Sequence, residues 1–203
     1  MEKINNPDLE LDFFSLLENH NFSKKELEKI NQAYFLSKAK FKWNKRDSWE
    51  DYFEHLVRTA SIILYEFEKP TAEKIILSLL HDIVEDTSIL FDTIKLTFWH
   101  KILESIKNIS KKDKNLAGLD SKYRKKEYFE RINKLTNDLE IDVKLADRID
   151  NLRTIWVWKV EKILDKISET EKYILPLARK YNSKALKIIE EEIFTIRNNI
   201  NID

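Results

Sequence analysis

His81 and Asp82 stand side by side after an apolar run, in LSLLHDIVEDTSIL, and Glu85 and Asp86 follow each of them by four residues. Residues four apart share a helix face, which pairs His81 with Glu85 and Asp82 with Asp86. Two readings fit this cluster: a helix end whose acids face water, or a site for a divalent cation. Imidazole and carboxylate together suit Mn, Fe or Zn. Acids at the C-terminal end of a helix also oppose its dipole, so a positive partner is expected there.

A second segment, VKLADRIDNLRTI, places Asp147, Asn151 and Thr154 on one polar line beside an apolar stripe. A carboxylate at such a seam is partly buried and needs either a cation from a side chain, Arg148 or a more distant Lys, or a metal. His55, in WEDYFEHLVRTASII, precedes another apolar stretch, and a single His there is more often a core or boundary residue than a ligand. His20 and His100 have no acidic cluster beside them.

Helices must position these residues, because the hydrophobic period is helical nearly throughout. A short helix over 8–17 comes first. Ser23 with Glu26 forms a capping-box signature for a helix to about Lys40. Phe41 to Asp47 reads as a loop, and Ser48 is expected to cap the helix that carries His55 toward Phe67. Pro70 and Thr71 restart the chain for a helix from Ala72 to about Val84. Further helices are expected over 90–109 with a break near Thr97, 119–133, 138–156, 159–181 with a bend at Pro176, and 183–198. The segment 111–118, which holds the only Gly, reads as a linker. No strand-length alternation occurs, so the fold class is all-α, with one domain over 1–203.

Composition narrows the chemistry. With one Gly in 203 residues, neither a Rossmann fingerprint nor a P-loop can be built. With no Cys, disulfides, thiolate metal sites and cysteine nucleophiles are excluded. The 36 basic and 36 acidic residues give no basic excess for nucleic acid, and an apolar share of 42% argues against disorder. No segment approaches the roughly 20 apolar residues of a membrane span, so a cytoplasmic protein without membrane or nucleic-acid partners is expected.

His55, the His81-Asp82 doublet and Asp147 resemble the H…HD…D ligand set of the HD-domain metal-dependent phosphohydrolases, which are helical bundles. HDIVEDT together with VKLADRIDNLRT closely resembles the signatures of the hydrolase domain of the Rel/Spo alarmone enzymes, over about Ala33 to Tyr181. The resemblance implies a stand-alone small alarmone hydrolase that uses one divalent ion, Mn²⁺, to remove the 3′-pyrophosphate of guanosine tetra- and pentaphosphate. It makes His55, His81, Asp82 and Asp147 the metal ligands and Glu85 and Asp86 the catalytic acidic pair. Asn151 and Thr154 would contact the nucleotide, Arg46 would stack on guanine, and Lys144 and Arg148 would line the substrate site.

Three positions depart from the family pattern. Asp47 follows Arg46 where Lys is usual, which puts a negative charge beside an anionic substrate, with Lys42 and Lys45 as compensating cations. Leu56 follows His55 where Pro is common. Asp150 replaces a common His and, adjacent to Asn151, is expected to face another side with modest effect. Alternative functions are an HD hydrolase of an adenosine alarmone or a phosphorylated cofactor such as NADPH, and a non-catalytic alarmone-binding protein. The lysine-rich stretches KAKFKWNKR and KYRKKEYFERINK read as solvated surface or as positive potential at the site. Trp156 and Trp158 read as core or interface packing, with base stacking the less common alternative.

Overall fold

A computed structural model describes residues 9–111, 118 and 120–200. Among them the chain is helical, with one isolated antiparallel bridge, Lys45 to Asp51, and no strand. The helices in order are α1 (Leu9–Glu18), α2 (Lys24–Lys40), α3 (Tyr52–Tyr65), α4 (Ala72–Leu80), α5 (Ile83–Asp86), α6 (Phe91–Thr97), α7 (His100–Ile109), α8 (Ser121–Ile132), α9 (Asp138–Arg153), α10 (Val160–Glu169), α11 (Leu175–Tyr181) and α12 (Ser183–Ile200). None is long and apolar enough to cross a membrane.

Local chemistry sets several boundaries as the sequence predicts. Ser23 and Glu26 form the reciprocal capping box of α2, and the Thr71 hydroxyl accepts from the Lys74 N–H at the start of α4. The expected break near Thr97 falls between α6 and α7.

Four expectations change. Asp51, not Ser48, is the N-cap of α3, because residues 44–52 first fold back on themselves: Tyr52 N–H bonds the Asn44 carbonyl and Arg46 N–H the Glu50 carbonyl. Trp49 closes that turn at φ 65°, a left-handed conformation costly for a bulky side chain. The helix from Ala72 stops at Leu80, and α9 gives way to a short 3₁₀ turn over Ile155–Val157. The helix expected over 159–181 is divided into α10 and α11 just before Pro176. A π-turn over Thr170–Ile174 precedes it, which widens the helix where proline lacks an N–H and its ring would strike the preceding turn. Most of the expected 111–118 linker, residues 112–117, lies outside the described residues; Gly118 adopts φ 88°, which glycine takes without strain.

α9 is the axis. It packs on α3, α4 and α12, and α3 and α4 pack on each other. Thirteen of its sixteen residues are buried, six of them charged. Each buried charge needs a partner. Asp142 pairs with Lys74 of α4 at 2.6 Å, and Arg153 joins Glu66 after α3 to Glu192 of α12 at 2.6 and 2.8 Å. These ties join α9 to α4, to the end of α3 and to α12.

Candidate metal centre and its cleft

The break after Leu80 gives the His-Asp doublet its geometry. His81 caps α4, and its ring Nδ1–H donates to the Ser78 carbonyl at 2.7 Å. Asp82 then leaves helical geometry at φ −101°, ψ 0°, and α5 starts afresh. His81 and Asp82 therefore face the same point, where a continuous helix would splay them by about 100°.

His55, on α3, is oriented from the other side. Its Nδ1–H donates to Asp150 Oδ2 at 2.6 Å. Carbonyl and carboxylate oxygens only accept, so both rings hold a proton on Nδ1 and turn Nε2 inward. His55, His81 and Asp82 each offer a ligand atom within 4.8 Å of the others, all three buried. Asp147 Oδ1 lies 3.4 Å from His55 Nε2 and 3.9 Å from His81 Nε2. His81 Nε2 is buried and makes no hydrogen bond, although Asp82 Oδ2 is 3.1 Å away. An unsatisfied buried acceptor costs about 1–3 kcal/mol. This orphaned nitrogen, facing two carboxylates, is the observation that fits a divalent cation. Burial alone would lower the His81 pKa, but Asp82 and Asp147 outweigh it and raise it. The acids draw positive charge to that nitrogen.

The two carboxylates are themselves held. Tyr52 donates its hydroxyl to Asp82 Oδ2 at 2.6 Å, and burial, then Asp82 and Asp86, push the phenol pKa well up, so it remains a donor. Lys144 binds Asp147 Oδ2 at 2.6 Å and Asn151 donates to Oδ1 at 2.6 Å. Burial would raise the Asp147 pKa; the Lys144 ammonium beside it holds it well below the usual carboxylate range. Its partner is thus Lys144, one turn away, and Arg148 pairs instead with Glu169 at 2.7 Å. Glu85 accepts the Lys111 N–H at 2.6 Å, and Asp86, exposed, accepts from Asn44 through its backbone carbonyl at 2.9 Å.

Two adjoining cavities meet at Asp147 and Asn151. One, about 310 Å³, has a cationic wall of Lys111, Arg124, Lys125, Lys144, Arg148 and Lys166. The other, about 230 Å³, is lined by Arg46, Ser48, Tyr52, Asn151, Thr154 and Trp158 among others. Arg46 donates to Asn151 Oδ1 at 2.8 Å and reaches Thr154 Oγ1 at 3.5 Å, so the three residues expected at the nucleotide do come together. Ser48 Oγ is buried there without a hydrogen-bond partner.

Asp47 is compensated differently from the sequence expectation. Lys162 of α10 binds it at 2.7 Å and lies over the Trp158 ring at 3.9 Å, whereas Lys45 pairs with Asp51 and Lys42 sits over Trp43. Arg124 and Lys125 of the second lysine-rich stretch face the cationic cavity. Trp158 lines the second cavity, and Trp156 stays 41% exposed.

Sequence reasoning missed Tyr52, Arg58, Lys111 and Lys166, and it gave Asp150 a modest effect, whereas that carboxylate bonds His55 Nδ1 at 2.6 Å. Tyr52 and Arg58 stand three residues to either side of His55, and Asp150 three beyond Asp147. That one-turn spacing was the available signal. It does not say which of several buried acids turns toward a particular imidazole.

Residues 33–181 match the HD domain family. A guanosine-3′,5′-bis(diphosphate) 3′-pyrophosphohydrolase of Aquifex aeolicus is 32% identical over 192 residues, covering 92% of this chain and 26% of that protein. The bifunctional (p)ppGpp synthase/hydrolase SpoT of Escherichia coli K12 is 29% identical over 170 residues, 83% of this chain and 24% of that one. The chain therefore spans about a quarter of the length of these relatives. A solved structure described as a metazoan ortholog of SpoT that hydrolyzes ppGpp superposes with a TM-score of 0.74 at 23% identity, over 88% of this chain and 98% of the other, which is a likeness of fold. With that bundle, and with a histidine–aspartate cluster at its centre, the chain belongs to the HD-domain family, with the Rel/Spo-like alarmone hydrolase domains.

Proposed function

We propose that the protein is a Mn²⁺-dependent hydrolase of guanosine 3′,5′-bis(diphosphate) and its pentaphosphate analogue. It would cleave the 3′-pyrophosphate to leave GDP or GTP and pyrophosphate. The observation that carries this reading is the inward pair of Nε2 atoms with Asp82 and Asp147 beside them, next to where a cationic cavity and a second cavity lined by Arg46, Asn151 and Thr154 join. The similarity to the Aquifex pyrophosphohydrolase supports the choice of substrate.

His55, His81, Asp82 and Asp147 would hold the divalent ion. When bound, that ion lowers the pKa of a water and offsets charge on the phosphoryl group being transferred. The remaining work falls to side chains. Arg46 presents its guanidinium plane to the base, and Asn151 and Thr154 meet the ribose and its 3′ substituent. Lys111, Lys144, Arg148 and Lys166 set positive potential around the pyrophosphate; Lys144 does so while anchoring Asp147. Water attacks the phosphorus attached to O3′ and the P–O3′ bond breaks. Glu85 and Asp86 form the acid–base pair that takes the water's proton and returns one to the departing 3′ oxygen.

The test is purified protein with Mn²⁺ and a panel of guanosine tetraphosphate, its adenosine counterpart and NADPH, with products separated chromatographically. Pyrophosphate and GDP are expected from the guanosine substrate. Turnover of another member without the guanosine one would move the assignment to an adenosine alarmone or NADPH. Binding of the guanosine compound without turnover would make the chain a non-catalytic alarmone-binding protein.

A further inference from the structure

Asp150 is 1% exposed and sits on α9 one turn beyond Asp147. The two carboxylates address the same ring. Asp147 Oδ1 is 3.4 Å from His55 Nε2, and Asp150 Oδ2 is 2.6 Å from His55 Nδ1. One helix thus grips both nitrogens of a residue on another. The second histidine is treated differently, since His81 Nδ1 meets a neutral backbone carbonyl.

Asp150 is also immobilised. Arg58, one turn after His55 on α3, binds it through two nitrogens, Nε to Oδ1 at 2.6 Å and Nη2 to Oδ2 at 3.2 Å. The far side of that guanidinium is held by Glu50, at 2.8 and 3.3 Å. Glu50 in turn meets Arg46 at 3.2 Å, and Arg46 Nη1 stands 3.8 Å from Asp150. A bidentate, charge-assisted clamp of this kind fixes the plane of the carboxylate as well as its position. Arg58 further balances the charge that Asp150 brings, so the imidazole gains an ionised partner without the centre gaining a net negative charge.

We propose that Asp150, clamped by Arg58, is a positioning residue for the metal centre. It locks His55 in the Nδ1–H tautomer, keeps the Nε2 lone pair aimed at His81, Asp82 and Asp147, and makes that nitrogen a stronger donor. A carboxylate behind a ligating imidazole fixes ring and tautomer and raises ligand basicity. The sequence offers the means of building it here: an acid three residues after Asp147 and an arginine three residues after His55. The inference rests on the metal-centre reading above.

The experiment uses the full chain as wild type, Asp150→Asn, Asp150→Ala and Asp142→Asn. The last variant disrupts another buried ion pair on the same helix, Asp142 with Lys74, two turns before Asp150. Two quantities are read: the His55 tautomer by ¹⁵N NMR on metal-free protein, and Mn²⁺ affinity by competition with a chelating dye. Asp150→Ala is expected to lower the Nδ1–H share and weaken Mn²⁺ binding about 10–100-fold. Asp150→Asn keeps an acceptor but loses the charge, and a smaller loss of about 10-fold, the lower end of that scale, is expected. Asp142→Asn should leave both readings unchanged while lowering the melting temperature. Wild-type affinity and tautomer in Asp150→Asn would overturn the proposal, and so would an equal loss of affinity in Asp142→Asn. If Asp150→Ala does not fold, Asp150→Asn decides. Should wild-type protein bind no Mn²⁺, the metal-centre reading fails, and the tautomer in the Asp150 variants still decides the positioning role.

Discussion

Replacing Asp147 with Asn separates two contributions that the structure places on one carboxylate. Asp147 is 9% exposed, and its Oδ2 neutralises the buried Lys144 at 2.6 Å while Oδ1 faces both imidazoles. Without the charge, Lys144 becomes an unpaired ammonium that is 5% exposed. Breaking one side of such a pair costs about 3–5 kcal/mol. The value should fall toward the lower end, because the new amide can still accept from Asn151. The second contribution is metal linkage. A ligand that binds only the folded state at 100 times its Kd adds about 2.7 kcal/mol. Urea unfolding in chelator and in excess Mn²⁺ reads both terms. Wild type should gain that increment with Mn²⁺, and Asp147→Asn should lose stability in chelator and gain nothing from the metal. Adding Lys144→Met to Asp147→Asn removes the stranded ammonium and should restore most of the chelator-state stability, with the metal response still absent. An undiminished Mn²⁺ increment in Asp147→Asn would refute its place among the ligands. Failure of the double variant to recover would refute the charge argument.

Glu85 is held by Lys111 outside the ligand cluster, so Glu85→Gln should reduce kcat by about 10²–10⁴-fold, the usual worth of a general acid or base, while Mn²⁺ affinity by dye competition stays near wild type. Lys166 has its pKa brought down to about 8 by burial and by Arg148, against the opposing pull of Glu169. It is therefore charged below pH 8 and neutral above, and KM for the anionic substrate should rise as pH increases through 8. Lys166→Met should raise KM at pH 7 and remove that inflection; a wild-type KM profile in the variant would exclude Lys166 from substrate binding.

The helical class and the ligand-bearing segments were legible because they rest on local rules: period, caps and donor types. Ser23 with Glu26 and Thr71 signal their helices through side-chain oxygens within three residues of the backbone groups they satisfy. Ser48 misleads for a related reason. It has the chemistry of a cap, but a fold-back between Asn44 and Tyr52 moves the helix start past it, and no local propensity reports that pairing. His81 was legible as a donor but not as the end of a helix, since the apolar run continues through Ile83 and Val84. Asp150 was the hardest to place. A buried acid on a helix with six buried charges could meet several cations, and its partner His55 lies 95 residues away. Asp47 likewise reads as adverse charge until Lys162, far along the chain, is brought beside it.

The placement of α9 has a consequence for synthesis. His55, His81 and Asp82 leave the ribosome early and in close succession, on segments that pack together. Asp147 and Asp150 follow only after α5 to α8 have been made. Until then α3 and α4 lack the helix that covers their apolar faces, and the His55 ring lacks the Asp150 carboxylate on Nδ1. A nascent chain stopped short of residue 150 would present a sticky, half-assembled bundle of the kind that chaperones retain. α9 thus joins the two halves of the candidate site at the same step as it covers α3 and α4, and α12 then packs on α9 from the other side.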